Sequence, residues 1–407
     1  MSDIAFVTDS TAYIPNPLLE EYKIAVAPLI LVWGDETFRD GVDIQPDEFY
    51  TRLKTAKVMP TTTQAPVVTM HEIFEQLLAK GAADGGPCSA LPRPAPVGSA
   101  CLNAFHHDAI QFSIGPSRYT AVMVSIEKIL PPGTQGDTSG LPVDILGDMI
   151  VVLDSNWQVA WYFDTFQHDS GPPQLDINRP AVLGETCGIN QSGCPPMFLL
   201  GPGIAPLGKD WLHANTIYYS PLDKDLIWSS KNQDWLMKVD YNNGAGTGNI
   251  LWRMGPDGDF TFNNINNDPW PWFSAQHESG MENNGAGPLT VFDNGDTRVA
   301  PPPLGVGNGN SRGMALTVDE TRMQVTPVLS VDLGTFSTAG GSAQLLSGGN
   351  YFFMPAVVLV NLNSLNSFSV EILPTPGTVT GTKVLNLQGP GGYRGWQMPS
   401  LYNPPLI

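Results

Sequence analysis

The residues most suited to chemistry in this chain are its histidines. Five of the six fall in four short polar segments: Phe105-His-His-Asp108, Gln167-His-Asp169, Trp211-Leu-His-Ala-Asn215 and Ala275-Gln-His277. Apolar, strand-like runs separate these segments, which is how a site is built from loops on a rigid scaffold. The densest stretch, Lys209 to Gly280, also holds Trp211, Trp235, Trp270, Trp272 and Lys231. Two chemistries suit such a set. Neutral imidazoles from His107, His213 and His277 are good ligands for zinc, copper or iron, but the close histidine pairs typical of such sites are missing, so no metal and no cofactor are expected. Alternatively, imidazole is a nucleophile at neutral pH and can carry an anionic group on one nitrogen. Such a group gains charge on its oxygens in transfer, so cations and hydrogen-bond donors must surround it. Lys231, Arg312, Asn215 and a second histidine are the candidates. His106 and His168 are taken as support. These residues alone do not choose the group transferred.

The elements that position them read as mainly β from about Cys101 onward. Asp148 to Asp154 is followed by Gln158 to Tyr162; Asp225 to Ser230 by Met237 to Asp240 and Asn249 to Trp252; Leu289 to Asp293 by Gly313 to Val318 and Gln324 to Val328; Asn350 to Phe353 by Ser369 to Leu373. The later starts recur roughly every 60 to 65 residues, as in propeller blades with long loops. A β-sandwich with insertions is the alternative. In a propeller the histidine loops converge at one mouth of the central channel. The four tryptophans would then either wall an aryl site or pack in the core. With 42 Gly and 37 Pro against 14% charged residues, the chain favours many short strands over long helices, and its ten tryptophans argue against disorder.

Residues 1–81 follow a different pattern, α/β. Ile4 to Val7 and Ile24 to Val32 read as strands, Pro46 opens a helix that presents Phe49, Tyr50 and Leu53, and Thr69-Met-His-Glu72 is a capping box before another helix. Residues 82–100 are a Pro/Gly-rich linker, and 101–407 is the β region. The net charge of −19 makes nucleic acid an unfavourable partner. No apolar run is long enough to span a membrane, and Met1 to Asp9 lacks the pattern of a signal peptide. A homo-oligomer remains compatible with the sequence. Cys187-Gly-Ile-Asn-Gln-Ser-Gly-Cys194 is open to three readings: a local disulfide, a zinc site, or two buried thiols.

Val7-Thr-Asp-Ser-Thr11, Val26-Ala-Pro-Leu29, Phe38-Arg-Asp-Gly-Val-Asp-Ile44 and Pro60-Thr-Thr-Thr-Gln-Ala-Pro66 resemble the N-terminal part of the DegV family of fatty-acid-binding proteins. The resemblance implies that Ser10, Thr62 and Thr63 help hold a lipid carboxylate; as ordinary turn residues, Ser10 and Thr62 would simply cap turns. It stops near Gly81, short of a whole family member.

The remainder resembles a bacterial arylsulfate sulfotransferase. The resemblance rests on Phe105-His-His-Asp108, Asp210-Trp-Leu-His-Ala-Asn215, Trp228-Ser-Ser-Lys-Asn-Gln-Asp-Trp235, Gly248-Asn-Ile-Leu-Trp-Arg-Met-Gly255, Asp268-Pro-Trp-Pro-Trp-Phe-Ser-Ala-Gln-His277, Phe292-Asp-Asn-Gly295, Ser311-Arg312 and Gly341-Ser-Ala-Gln344. It implies a six-bladed propeller, here incomplete or irregular, that moves a sulfuryl group from a phenolic sulfate ester to a phenol. By the same resemblance His277 accepts the group as a sulfohistidine, His213 and Asn215 line the site, and His107 belongs to the first loop. Ser342 supplies a hydroxyl, Arg312 stands in support at the substrate, and Lys231 takes an arginine's place. Lysine there keeps the charge but loses the planar fork. The family's export implies a periplasmic or secreted protein, whereas the N-terminus fits a cytoplasmic one. Two other outcomes follow from the same sequence: a fatty-acid-binding module, or an inactive composite of two family fragments.

Overall fold

The computed structural model describes residues 6–9, 16–21, 24–34, 36–54, 56, 60–63, 91, 95–155, 159–166, 175–189, 191, 194–195, 197–201, 203–361 and 364–397. The chain divides into two compact units, Met1–Asp84 with Asp154–Val159, and Gly85–Leu153 with Ala160–Ile407.

In the first unit, strand β1 (Phe6–Asp9) pairs in parallel with β2 (Ile24–Ala27), and helix α1 (Asn16–Glu21) lies between them in sequence. The single strand expected over Ile24 to Val32 is in fact two. The chain leaves β2 at Pro28, which has no N–H to donate to a ladder, and β3 (Ile30–Trp33) joins a second sheet between β4 (Glu36–Arg39) and β5 (Thr61–Thr63). Helix α2 (Pro46–Leu53) begins at its proline as expected, and its Phe49 and Leu53 pack against Leu31, Trp33 and Ile44. Thr62 and Thr63 lie on β5; Ser10 and the capping box at Thr69 to Glu72 fall outside the described residues.

The second unit is mainly β, in four sheets. The first is built on a long hairpin, β6 (Ala100–Ile114) and β7 (Ser117–Leu130), with β8 (Val143–Leu153), β9 (Val159–Asp164), β10 (Thr186–Cys187) and β11 (Gly208–Asp210). The second is a four-stranded meander of β12 (Ala214–Ser220), β13 (Asp225–Ser230), β14 (Trp235–Val239) and β15 (Ile250–Met254). The third takes β16 (Thr261–Phe262), β17 (His277–Met281), β18 (Leu289–Asp293), β19 (Arg312–Asp319) and β20 (Gln324–Asp332); the fourth takes β21 (Ser342–Leu345), β22 (Tyr351–Met354), β23 (Val358–Asn361), β24 (Ser364–Pro374) and β25 (Gly381–Pro390). Among the described residues the strands form no closed barrel or propeller. β12 lies beside β6 and β17, and β17 lies beside β21, so one edge strand of each sheet faces a common centre.

Apolar runs such as Leu226-Ile-Trp228, Leu236-Met237 and Leu289 with Val291 are buried because sheet faces pack on neighbouring sheets. The Pro/Gly-rich stretch contributes to this unit too: Ala95 is buried with Cys101 and Ile129, and β6 already begins at Ala100. Among the three readings for Cys187 and Cys194, the disulfide is the one formed, with Cα atoms 5.6 Å apart. No described cysteine is a free thiol.

Neighbouring sheets approach closely where a glycine faces an aromatic ring. A Cβ on Gly313 of β19 would sit 2.4 Å from two ring atoms of the fully buried Phe353 of β22. Gly313→Ala is therefore expected to destabilise the second unit by about 1–3 kcal/mol, the usual cost of overpacking a rigid core. Chemical denaturation of the full chain measures this; an unchanged midpoint would show that the sheets are not seated at that distance.

Candidate functional site

His213, in the link from β11 to β12, and Lys231, in the turn after β13, lie in connections as their polarity suggested, while the other site residues lie on strands. Asn215, His277 and Ser342 stand at the starts of the central edge strands. His213 immediately precedes β12 and Asn215 lies within it, while His277 and Ser342 are the first residues of β17 and β21. His106 and His107 fall inside β6, at an irregularity in its pairing with β7 between Phe105 and Ala109. His107, His213 and Glu278 hold left-handed backbone conformations at φ 54°, 50° and 42°. Such conformations cost a non-glycine residue about 1–3 kcal/mol each, and they persist where surrounding bonds over-determine them.

Those bonds are dense around His277. Gln276 donates through Nε2 to Ser229 Oγ at 3.0 Å and to the Trp235 carbonyl at 3.0 Å, and its own carbonyl accepts from Asn215 Nδ2 at 2.7 Å. Asp234 accepts the Ala275 N–H at 2.6 Å, and Asp293 accepts the Ser274 N–H at 2.9 Å. The segment entering β17 is thus fastened at Ala275 and Gln276 to the second sheet and its turn, and at Ser274 to β18 of its own sheet.

His277 itself is 2% exposed. Its Nδ1 is 2.8 Å from Asn294 Oδ1, while Asn294 Nδ2 donates to the carbonyls of Ser337 at 2.8 Å and Gly340 at 3.0 Å. Because the amide nitrogen is committed to two carbonyls, its oxygen must accept, and Nδ1 of His277 must carry the proton. Nε2 then has the lone pair, and it accepts the Gly340 N–H at 3.2 Å. Burial pushes the His277 pKa down to about 3; the Asn294 bond works the other way, and the charges of Lys231, His213 and Arg394 add to the depression. The ring is neutral at any ordinary pH.

His213 Nδ1 lies 2.6 Å from Asp210 Oδ2. Burial raises the Asp210 carboxyl, but His213, Lys231 and Asn232 outweigh it and hold the group below its ordinary value. The rings of His213 and His107 stand 4.8 Å apart. His107 Nδ1 is 2.8 Å from His106 Nδ1, and His106 Nε2 is 2.9 Å from Asp148 Oδ1. His106 Nε2 faces the Asp148 carboxylate at ion-pair distance but is not aligned for a hydrogen bond, so the Nδ1 contact between His106 and His107 fits either tautomer. His107 is exposed as a residue, yet surrounding protein takes much of its ring out of water. That surrounding mass, followed by the charges of His213, His106, His277 and Arg394, holds its pKa below the ordinary value.

Lys231, in the turn after β13, has Nζ 3.1 Å from Asn232 Oδ1 and 3.6 Å from Glu185 Oε1. Ser342 is fully buried and accepts the Gly395 N–H through Oγ at 2.9 Å. Arg312 has the geometry of a clamp: it donates to Asp293 Oδ2 at 2.7 Å, to Asp268 Oδ2 at 2.6 Å and to the Trp272 carbonyl at 2.7 Å. His168 falls outside the described residues. Of the four tryptophans, Trp211 and Trp235 are core, Trp272 packs on Phe262 and Phe273, and Trp270 is half-buried. The aromatic ring against the histidines is instead Tyr393, 5.7 Å from His107 and 6.0 Å from His277.

Sequence reasoning quoted Asp210 and Asn294 within longer stretches without giving them a role, and passed over Tyr393 and Arg394. An acidic residue three before His213 was a usable signal for the first. Nothing local marks the others, whose partners lie in remote sheets.

Residues 92–387 match the model of the arylsulfotransferase family, and residues 3–84 match that of DegV, a family of uncharacterised proteins. A DegV domain-containing protein of Caldanaerobacter subterraneus is 49% identical over 78 residues, 19% of this chain and 28% of that protein. Protein DegV of Bacillus subtilis is 39% identical over 75 residues, 18% of this chain and 27% of its own length. The chain thus spans under three-tenths of the curated relatives it matches. The crystal structure of the B. subtilis protein, described as a fatty acid binding protein, is 36% identical over 20% of this chain and 28% of that one, with a TM-score of 0.19. The N-terminal segment is a DegV domain, and by the match over 92–387 the chain belongs to the arylsulfotransferase family.

Proposed function

We propose that residues 101–407 are a propeller-type module that transfers a sulfuryl group from a phenolic sulfate ester to a phenolic acceptor through a sulfohistidine at His277. Residues 82–100 join it to the DegV domain of residues 1–81. The observation that carries this reading is the tautomer of His277: Asn294 Oδ1 accepts from Nδ1–H, and the neutral ring keeps its lone pair on Nε2, where it rests against the Gly340 N–H until a sulfuryl group displaces that contact.

In the first half-reaction Nε2 attacks sulfur, the bond from sulfur to the phenolic oxygen breaks, and that oxygen takes a proton from His213. Asp210 steadies the imidazolium from which the proton comes. The sulfated His277 ring carries positive charge, which Asn294 Oδ1 accepts through Nδ1–H. In the second half-reaction an incoming phenol attacks sulfur, its proton passes to His213, and the N–S bond breaks to restore the resting ring. Lys231 offsets the charge that grows on the sulfuryl oxygens. His107 flanks His213, with the two rings 4.8 Å apart. Asn215 and Ser342 act by holding β17 and the C-terminal segment in place, since their polar atoms bond to those segments. No ligand is proposed for the DegV domain, whose matched length is 28% of its relative's.

With a chromogenic aryl sulfate and a phenol, His277→Ala is expected to abolish turnover, and release at the wild-type rate would sink the assignment. His213→Gln is expected to slow turnover by about 10²–10⁴-fold, the range for a lost general acid. The pH dependence has a defined sign. The reactive form of His277 is neutral, and a pKa pushed down to about 3 keeps it neutral above that pH, so no acid limb is expected near the ordinary imidazole value of 6.5. Asn294→Asp places a negative charge against Nδ1 and should move the acid limb to higher pH. An acid limb at 6.5 in the ester-cleaving half-reaction, where His213 acts in its protonated form, or one that Asn294→Asp leaves in place, would contradict the assigned environment of His277.

A further inference from the structure

Arg394 lies beyond the last strand, in the segment Gly391 to Gln397, remote in sequence from every histidine of the site. Its side chain is nonetheless only 8% exposed. Nη1 is 3.1 Å from Asp108 Oδ1. Nη2 donates to the Asn215 carbonyl and, at 3.3 Å, to Thr216 Oγ1. Nε is 3.2 Å from Glu278 Oε2. The positions of these partners carry the argument. Asp108 directly follows His107, Glu278 directly follows His277, and Asn215 is two residues after His213. One planar guanidinium therefore hydrogen-bonds next to His107 and next to His213 and forms an ion pair next to His277, on three strands drawn from three different sheets.

We propose that Arg394 is the positioning residue that sets the mutual register of His107, His213 and His277. The arrangement needs such a device. The three edge strands contribute polar ends rather than interlocking apolar side chains at the centre, and each histidine is held at a kink or irregularity. A fork with fixed donor directions defines three positions at once, whereas a lysine's single ammonium does not. Asp108 is itself committed on both sides, since its other oxygen accepts the Ile217 N–H at 2.8 Å. The segment carrying the arginine is seated independently of it: Ser342 Oγ accepts the Gly395 N–H at 2.9 Å, Gln344 Oε1 accepts the Gln397 N–H at 3.1 Å, and the Tyr393 carbonyl accepts the Gly341 N–H at 2.9 Å. The same seating lays the Tyr393 ring between His107 and His277. The C-terminal segment thus ties the fourth sheet to the starts of the other three.

The kinetic part of this inference rests on the sulfuryl-transfer reading; the geometric part does not. Three variants of the full chain separate them: Arg394→Gln, Arg394→Lys, and Glu278→Gln, with Arg322→Gln as a control at an exposed arginine paired with Asp319. Imidazole nitrogen signals are followed by NMR against pH, alongside kcat and KM for a chromogenic aryl sulfate. Arg394→Gln should shift the signals of all three site histidines together and lower kcat by about 10²-fold, the cost of roughly an ångström of misplacement, with KM little changed. Arg394→Lys should return the charge without the fork, and so leave the three signals displaced and kcat low. Glu278→Gln, which keeps the side chain's shape should Arg394→Gln fail to fold, should move the His277 signal and leave that of His107. The inference is overturned if Arg394→Gln leaves the three signals in place, moves only one of them, or is rescued in kcat by lysine. A wild-type protein that does not turn over the ester would count against the functional reading alone, and the imidazole signals would still decide the role of Arg394.

Discussion

Everything at the centre of the second unit depends on one constraint: polar groups brought out of water must find partners. Four sheets direct the ends of their edge strands inward, and those ends carry imidazoles, carboxylates, amides and a guanidinium rather than leucines. The bond from His277 to Asn294 shows how the constraint is met. Asn294 has two donors and an acceptor to satisfy; two carbonyls from the stretch before β21 take the donors, and only an Nδ1–H can satisfy the oxygen. The chemistry assigned to Nε2 is a by-product of that arithmetic. Asp210 with His213 repeats the logic with a carboxylate in the amide's place.

The backbone bears the cost. Positive φ at His107, His213, Ala275 and Glu278 concentrates strain in the residues that flank the reactive ring. Each kink turns a side chain that an extended strand would send elsewhere, and each is countered by hydrogen bonds from another sheet: Asp234 to Ala275, Asn215 to Gln276, Asp148 to Ala214. Rigidity here comes from polar cross-links between sheets, while the apolar clusters of Trp228, Leu236, Val291 and Phe353 supply the cohesion around them.

How much of this was legible in the sequence follows from the same division. The apolar strands were readable because their signal is local: Asp225 to Ser230, Leu289 to Asp293 and Asn350 to Phe353 announce themselves. The central edge strands were not. Ala-Asn-Thr-Ile-Tyr-Tyr-Ser, His-Glu-Ser-Gly-Met and Ser-Ala-Gln-Leu contain too few apolar residues to register as strands, so the site residues they carry were assigned to loops. The joint importance of His107, His213, His277 and Lys231 was visible from type and motif. Asn294, Tyr393 and Arg394 were not, because their significance lies in partners 17 to 286 residues away. Of the two roles open to Trp211 and Trp235, substrate wall or core, burial selects the core and leaves Tyr393 against the histidines.

The central claim is that His277 carries the transferred group. Its most direct test is to mix the protein with an aryl sulfate in the absence of any acceptor, quench in alkali to preserve the N–S bond, and sequence the peptides by mass spectrometry. The account predicts one added sulfuryl group on the peptide containing His277, localised to its imidazole and discharged when a phenol is supplied. A sulfuryl group found on another residue, or ester cleavage with no labelled intermediate and direct transfer to the acceptor, would contradict it.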